Sequence, residues 1–278
     1  MAHGQSGESR IRKRWPNVRD YYIVSASTES TKDFLRASWR AGRNLVITRL
    51  IQEELLERLE LSEELVCQAY RQLNRIHSCL GDTRAIIGAL RRDPLPVRRV
   101  MDVGCGHGGV LLEIQRKLEV DVVGVDIRPG IATNARVPVR LADAVRDPLP
   151  EADVAISMYL GHHLSEEDLA GLLQNVGRYC RRFILLDLVR HPLPLSLFRT
   201  FVAPFVGNIV AEDGQTSIAR AYTAAELRRI TADALDGTNS AFSHSVAPLR
   251  IRQIVDIRYA PGKPDNAVRS IGVAESNV

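Results

Sequence analysis

Apolar residues in the first third of the chain recur at helical spacing. Between residues 45 and 59, leucine and isoleucine return mostly at steps of three and four, as the buried face of one helix requires. Ser62 and Asp82 are placed to cap a second and a third helix. A proline-rich linker then ends the helical pattern. The sequence therefore predicts an N-terminal helical cap over residues 21–96.

From residue 97 onward, short apolar runs alternate with segments of helical pattern. This alternation is typical of a mainly parallel sheet with helices on both faces. We therefore predict an α/β domain with a Rossmann-like sheet over residues 97–262. Its predicted strands cover residues 97–103, 121–125, 153–158 and 183–188, with another ending at 141, and its helices cover residues 107–118 and 166–180.

The alternation is interrupted at residues 190–222. This stretch contains prolines and phenylalanines, and we interpret it as a helical lid insertion after the fifth strand. Thr223 can cap the helix that follows. Two β-like runs, 240–246 and 251–259, then predict an antiparallel pair that closes the sheet.

Composition narrows the classes of function. Of the 278 residues, 45% are hydrophobic and 25% are charged, which is typical of a globular protein with a sizeable core. The net charge is only +4, and part of that surplus lies in the basic segment 10–14, so we predict no nucleic-acid partner. No apolar stretch reaches the roughly 18 residues that span a bilayer, so we predict no membrane insertion. Residues 1–20 and 263–278 are predicted to be flexible tails.

Cysteine usage indicates the cellular compartment. The four cysteines include no CxxC pair and no metal-ligand spacing, and no apolar secretory segment opens the chain. Free thiols in a reducing compartment explain this usage. We therefore predict a cytoplasmic protein without a metal site.

The densest motif is a glycine-rich turn between a predicted strand and a predicted helix, residues 104–109. Glycines let the backbone approach a ligand closely, and the following helix offers unpaired N–H groups. A tight turn alone would explain the glycines equally well. Three acids at strand ends favour a ligand-binding turn: Asp102, Asp126 and Asp143. Asp126 can accept hydrogen bonds from ribose hydroxyls, and Asp143 can accept one from an adenine amino group.

These motifs, with Ser157–Leu164 after the fourth strand, resemble the class I S-adenosylmethionine-dependent methyltransferases over about residues 97–260. The resemblance implies that S-adenosylmethionine is the cofactor, with Asp102 holding its ammonium group and Asp126 its ribose. A cation for the methionine carboxylate is assigned to Arg84, with Arg75 as the alternative. The resemblance assigns the cofactor to Asp102, Gly104, Cys105, Gly106, Asp126, Ile127, Asp143, Ala144, Ser157 and Met158.

An NAD-dependent oxidoreductase is the rival within the same fold, since the glycine spacing also fits a dinucleotide fingerprint. A pyrophosphate would lie near the like charge of Asp102, whereas a cationic ammonium group favours that carboxylate. The closing antiparallel pair also fits the methyltransferase sheet better. A non-catalytic cofactor-binding protein is the remaining alternative.

His162 and His163 follow the fourth strand at its carboxyl end, where open α/β sheets bind ligands. A neutral imidazole can take a proton from a hydroxyl group, although either ring could instead pack beneath the cofactor. Asp187, at the end of the fifth strand, is a third catalytic candidate or the ion-pair partner of Arg190. The substrate candidates are His191, Phe201, Phe205, Asp213 and Tyr222.

The sequence thus predicts a methyltransferase that acts on a small molecule, similar to bacterial enzymes of secondary metabolism. A histidine base favours O-methylation of an aromatic or polyketide-type hydroxyl, with N- or C-methylation as the alternative. The fourth strand is not followed by the Asn/Asp-Pro-Pro-aromatic string of base-modifying relatives. The predicted partner is a small-molecule acceptor, and a homodimer is also compatible with the sequence.

Overall fold

The computed structural model describes residues 47–57, 61–130 and 135–260, which all belong to one compact unit, Asn44–Val278. The predicted tails, 1–20 and 263–278, lie outside the described residues, as does the segment 21–46 of the predicted cap. The division of the chain into cap, domain and tails therefore stays a prediction.

The described residues contain one sheet of seven strands in the order β3-β2-β1-β4-β5-β7-β6. Strands β1 to β5 are parallel, and β7 runs antiparallel to both β5 and β6. The predicted fold class, a mainly parallel sheet with a closing antiparallel pair, is confirmed. The strands are β1 (Arg99–Val103), β2 (Asp121–Asp126), β3 (Val139–Leu141), β4 (Ala152–Met158), β5 (Cys180–Asp187), β6 (Ala241–Val246) and β7 (Gln253–Arg258).

Helices cover both faces of this sheet. Because neighbouring residues of a strand point to opposite faces, Met101 and Val103 pack under one helical layer and Val100 under the other. This arrangement explains the nearly continuous apolar runs of the strands. The described helices are α1 (Glu63–Leu80), α2 (Asp82–Arg91), α3 (Gly109–Leu118), α4 (Glu166–Val176), α5 (Pro192–Phe201), α6 (Asn208–Arg220) and α7 (Ala224–Ala234).

Local capping predictions agree with the structure at two helices. The Ser62 hydroxyl accepts from the backbone N–H of Leu65 at 3.4 Å and caps α1. Thr223 and Glu226 form a reciprocal capping box at the start of α7, with hydrogen bonds of 3.2 and 2.8 Å. Among the described residues, no helix has the length and apolar character needed to cross a membrane.

The helix predicted over residues 45–59 is wrong where the structure describes it. Residues 47–54 have no regular secondary structure, and Leu55–Glu57 form a short 3-10 turn. We call residues 47–57 the strap. Its backbone donors bind α6 instead of one another: Leu50 N–H donates to the Ala219 carbonyl at 3.2 Å. Long-range hydrogen bonds therefore replace the helical ones.

Some predicted helix ends also differ from the structure. Gly81, with φ +73°, caps α2, whereas the buried Asp82 carboxylate accepts from the Tyr159 hydroxyl at 2.5 Å and pairs with Arg252. Helix α4 ends at Val176, four residues earlier than predicted, because Cys180 already pairs with β4 as the first residue of β5.

Candidate active site

A cleft of about 1300 Å³ opens at the carboxyl ends of β1, β2 and β4. Parallel α/β sheets bind ligands at this edge. The glycine turn lies at one end of the cleft and the two histidines after β4 lie at the other. Helix α1, the strap, α5 and α6 complete its walls.

The glycine turn is shaped for close approach of a ligand. Gly106 has φ +50°, and a Cβ atom added there would meet no described atom within 4 Å, so its backbone faces open space. Gly108 has φ +71°, and its added Cβ would lie 2.5 Å from Val137 Cγ2, so that glycine is required by packing. Cys105, which directly precedes Gly106, is buried against Gly124.

Asp102 is a buried carboxylate at the end of β1. Among the described residues, its Oδ1 atom has no hydrogen-bond partner. Burial, and then the negative charge of Asp126, raises the pKa of Asp102 to about 8. A buried carboxylate oxygen with no donor among the described residues, beside an open glycine turn, fits a ligand that brings a positive charge.

Asp126 is fixed by the turn that it faces. Its Oδ2 accepts from the backbone N–H of Gly106 at 3.0 Å, and its Oδ1 accepts from that of Arg128, also at 3.0 Å. The Arg128 guanidinium donates to the Tyr70 hydroxyl at 2.6 Å and so connects β2 to α1. The sequence analysis missed Tyr70 and Arg128, because nothing in either segment predicts that they meet.

The other residues predicted to bind the cofactor's adenosine also line the cleft. Asp143 accepts from Val145 N–H and from Arg146, each at 2.9 Å, and closes the turn after β3. Ala144 lies beside it. Ile127 is 65% exposed and presents an apolar surface at the same end.

Two cofactor assignments are corrected. Ser157 is fully buried, and its hydroxyl donates to the Val103 carbonyl at 2.9 Å, so it joins β4 to β1 while Met158 lines the cleft. Arg84 is exposed on α2 and lies outside the lining that the described residues form. A cation does line the cleft on the preceding helix, at Arg71.

His162 is buried between two carboxylates at the far end of the cleft. Its Nδ1 lies 2.7 Å from Asp187 Oδ1, and its Nε2 lies 3.6 Å from Glu54 Oε1. Burial opposes a charge on this imidazole, but Asp187 and Glu54 outweigh it and raise the pKa of His162 to about 9. The ring of His163 lies against that of His162, with centroids 4.1 Å apart and the ring planes tilted by 38°, and His163 also lines the cleft.

Glu54 reaches this site from the strap. The Ser217 hydroxyl donates to its Oε1 at 2.6 Å, and an Arg220 nitrogen lies 3.8 Å from the same oxygen. Burial acts to raise the pKa of Glu54, but the hydrogen bond and charge of His162 lower it overall. The sequence analysis missed Glu54 because its partners lie far along the chain. Glu54, His162 and His163 together are called the histidine cluster below.

Asp187 does not open into the cleft as predicted. It is buried behind His162, where its carboxylate also accepts from Leu188 N–H at 2.7 Å. Its predicted alternative partner, Arg190, pairs instead with Glu226 at 2.5 Å. Asp187 therefore orients His162.

Three predicted substrate residues have structural partners. His191 caps α5 through a hydrogen bond from Leu193 N–H at 3.2 Å. Tyr222 is buried, donates to the Leu164 carbonyl at 2.9 Å and lies under the Arg49 guanidinium. Asp213 lines the cleft, but its carboxylate is bound to backbone N–H groups of the strap.

The Asp213 carboxylate accepts from the backbone N–H groups of Leu55 and Leu56 at 2.6 and 3.0 Å. Its buried position raises its pKa despite these bonds. Of the two predicted phenylalanines, Phe201 lines the cleft, whereas Phe205 is 83% exposed and lies outside the lining formed by the described residues.

Tyr159 joins the floor of the cleft to the first two helices. It has φ +59°, its hydroxyl donates to Asp82, and its ring stacks on His77 at 4.1 Å. This contact fixes the loop after β4 between the glycine turn and the histidine cluster.

Comparison with known proteins agrees with this geometry. Residues 100–182 match a family model described as a methyltransferase domain. The plantazolicin methyltransferase BpumL, solved with a desmethylPZN analog and SAH, superposes with a TM-score of 0.58 at 12% identity, covering 84% of this chain and 99% of its own. The methyltransferase SibL in its apo form gives 0.54 at 18% identity, covering 86% and 72%. No curated protein matches the sequence.

The strand order and the superposition on BpumL show that the chain has the class I methyltransferase fold. Within that fold, residues 100–182, which include the glycine turn and Asp126, match the methyltransferase domain.

Proposed function

We propose that the protein transfers a methyl group from S-adenosylmethionine to a hydroxyl group of a small molecule. The observation that carries this proposal is the histidine cluster, which lies in the same cleft as the glycine turn. A hydroxyl must lose its proton to become a good nucleophile, and groups that can receive or stabilise this charge line the acceptor end.

The cofactor half would be held by residues of the glycine turn and the strand ends. Asp102 would receive the ammonium group, because its buried oxygen otherwise has no partner among the described residues. Asp126 would bind the ribose, and Asp143 with Ala144 the adenine. Arg71 replaces Arg84 as the proposed partner of the methionine carboxylate, because it lines the cleft. When bound, S-adenosylmethionine supplies a methyl group already activated by its sulfonium.

The remaining work of the protein is alignment and proton handling. Methyl transfer is a direct displacement, so a fixed approach of the acceptor oxygen lowers the barrier. Asp187 and Glu54 hold the His162 ring in one orientation. His163, whose ring contacts that of His162, adds a second imidazole at the acceptor end.

The acceptor pocket would suit an aromatic or polyketide-type molecule. Single-ligand pockets usually measure about 300–1,000 Å³, so a cleft of about 1300 Å³ leaves space for an acceptor beside the cofactor. Helix α5 contributes Leu197, Phe198 and Phe201 to its wall, and Val202 follows at the end of the helix. BpumL, which shares the fold, was solved with a small azole-containing analog, which supports a secondary-metabolite acceptor. The cytoplasmic location and the homodimer stay predictions.

The test is a mass-spectrometric screen of phenolic and amine acceptors with S-adenosylmethionine. We expect a gain of one methyl group on phenols, and a rate that falls by about 100-fold or more in His163→Gln. The matched control is His191→Asn, which keeps a capping residue on α5 and should retain the wild-type rate. Methylation of amines alone, at rates that His163→Gln leaves unchanged, would establish N-methylation instead.

A further inference from the structure

We infer that the histidine cluster, Glu54, His162 and His163, is a binding site for a divalent transition-metal ion at the acceptor end of the cleft. Each residue offers one ligand atom, and these atoms all lie within 4.8 Å of one another. Cysteine spacing in the sequence predicts no metal site, whereas these three ligands come from the strap and from the loop after β4.

The distances require only a small adjustment. His162 Nε2 and Glu54 Oε1 are 3.6 Å apart. Tetrahedral zinc with bonds of about 2.0–2.1 Å keeps its ligand atoms roughly 3.3 Å from each other. A modest turn of the His163 side chain therefore completes the set.

The surrounding hydrogen bonds hold two of the ligands in the required orientation. Asp187 binds the Nδ1 side of His162 at 2.7 Å, which directs Nε2 towards Glu54. A carboxylate behind a histidine in this way is the usual outer shell of a metal-binding imidazole. The Ser217 hydroxyl fixes the Glu54 carboxylate at 2.6 Å.

The ligand types select the metal. Two imidazoles and one carboxylate favour Zn²⁺, Fe²⁺ or Co²⁺, whereas Mg²⁺ and Ca²⁺ prefer oxygen ligands. Three protein ligands leave a coordination position open, as in catalytic zinc sites. All three residues line the cleft, so that position faces the acceptor. There the cation would lower the pKa of the acceptor's hydroxyl, a role that rests on the proposed function, although metal binding itself does not.

An Arg220 guanidinium nitrogen lies 3.8 Å from Glu54 Oε1. A divalent ion at the cluster would be repelled by this guanidinium and would have to displace the contact. Removal of that positive charge should therefore tighten metal binding. Misfolding cannot increase the affinity for metal. Arg220→Gln, which should bind metal more tightly, therefore tests the proposal independently of the variants that remove a ligand and weaken binding.

The experiment titrates tag-free, full-length, metal-free protein with Co²⁺ and Zn²⁺. We expect one equivalent of Co²⁺ to produce visible d–d absorption and Zn²⁺ to displace it. Loss of a ligand in Glu54→Gln or His163→Asn should weaken binding by about 100-fold, and loss of the outer-shell acid in Asp187→Asn by about 10–100-fold. Arg220→Gln should bind more tightly, and His191→Asn should match wild type. Circular dichroism establishes that each variant is folded.

Two results would overturn the inference: no stoichiometric Co²⁺ or Zn²⁺ binding by the wild type, or binding that survives both Glu54→Gln and His163→Asn. Methyl transfer to phenols at full rate in metal-free protein would overturn the catalytic role of the ion while the proposed function stands. Metal binding together with methylation of amines only would support the site and overturn the proposed function.

Discussion

At the scale of single residues, Asp102 has the most unusual environment in the cofactor half. Burial disfavours its charged form, and among the described residues nothing donates to its Oδ1. Because the folded-state pKa of about 8 exceeds the ordinary value of 3.8, the ligand-free protein loses stability as the pH rises through this range. The ionised Asp102 side chain therefore destabilises the ligand-free fold, and a bound cation would stabilise its charge.

This property predicts proton release on cofactor binding. At pH 7 the Asp102 carboxyl is protonated in the free protein, and a bound ammonium group favours its ionised form. S-adenosylhomocysteine, which keeps that ammonium, should therefore release about one proton, and its affinity should rise almost tenfold from pH 6 to pH 7. Calorimetry in two buffers of different ionisation enthalpy measures both quantities.

Asp102→Asn provides the control for this prediction. It should bind the ligand more weakly, release no proton and lose the pH dependence of binding. Binding to wild type without proton release at pH 6.5 would contradict an elevated pKa at this residue.

At the scale of elements, the helix predicted for the strap is wrong and the helix predicted for α7 is confirmed. The same physical difference, the distance along the chain to the hydrogen-bond partners, explains both outcomes. The Thr223 capping box lies within four residues, so the sequence contains all of its partners. The apolar spacing of residues 45–59 satisfies a helix equally well, yet the hydrogen bonds of the strap go to α6 far along the chain. A pattern read locally cannot detect such partners.

Asp213 is expected to hold the strap in place. Asp213→Ala leaves two half-buried backbone donors, those of Leu55 and Leu56, without their acceptor and should reduce the free energy of unfolding by about 1–3 kcal/mol. Because Glu54 lies on the strap, methyl transfer should also fall, while the affinity for S-adenosylhomocysteine at the glycine turn should stay unchanged. Denaturant unfolding, hydrogen exchange over residues 47–57 and calorimetry measure these effects.

The neighbouring exposed acid on the same helix supplies a matched control. Glu212→Ala should change neither exchange in the strap nor the rate of methyl transfer. Equal effects of the two variants would show that Asp213 has no special role in anchoring the strap.

At the scale of the whole molecule, the sheet could be predicted from sequence, and so could the meeting of three candidate cofactor residues, whereas the acceptor half could not. Asp102, Gly106 and Asp126 lie on consecutive βα units, so strand order alone brings them together. The acceptor half depends on Glu54 and on the packing of α5 and α6. No local pattern encodes those contacts.

The class of cofactor can be tested on the intact protein by thermal unfolding. S-adenosylhomocysteine at 100 times its dissociation constant should stabilise the fold by about 2.7 kcal/mol, which corresponds to a rise in Tm of roughly 5–10 °C. NAD at the same concentration should produce no shift. Asp126→Ala should lose the response to S-adenosylhomocysteine, and a shift with NAD alone would contradict the methyltransferase assignment.

The position of Glu54 also affects how this architecture can diversify. The acid that completes the histidine cluster enters from a segment outside the sheet, held by hydrogen bonds to α6 rather than by strand pairing. Substitutions in that segment can therefore alter the reacting end without disturbing donor recognition. Homologous chains that keep the glycine turn but carry another side chain at position 54 should use the same donor on a different nucleophile.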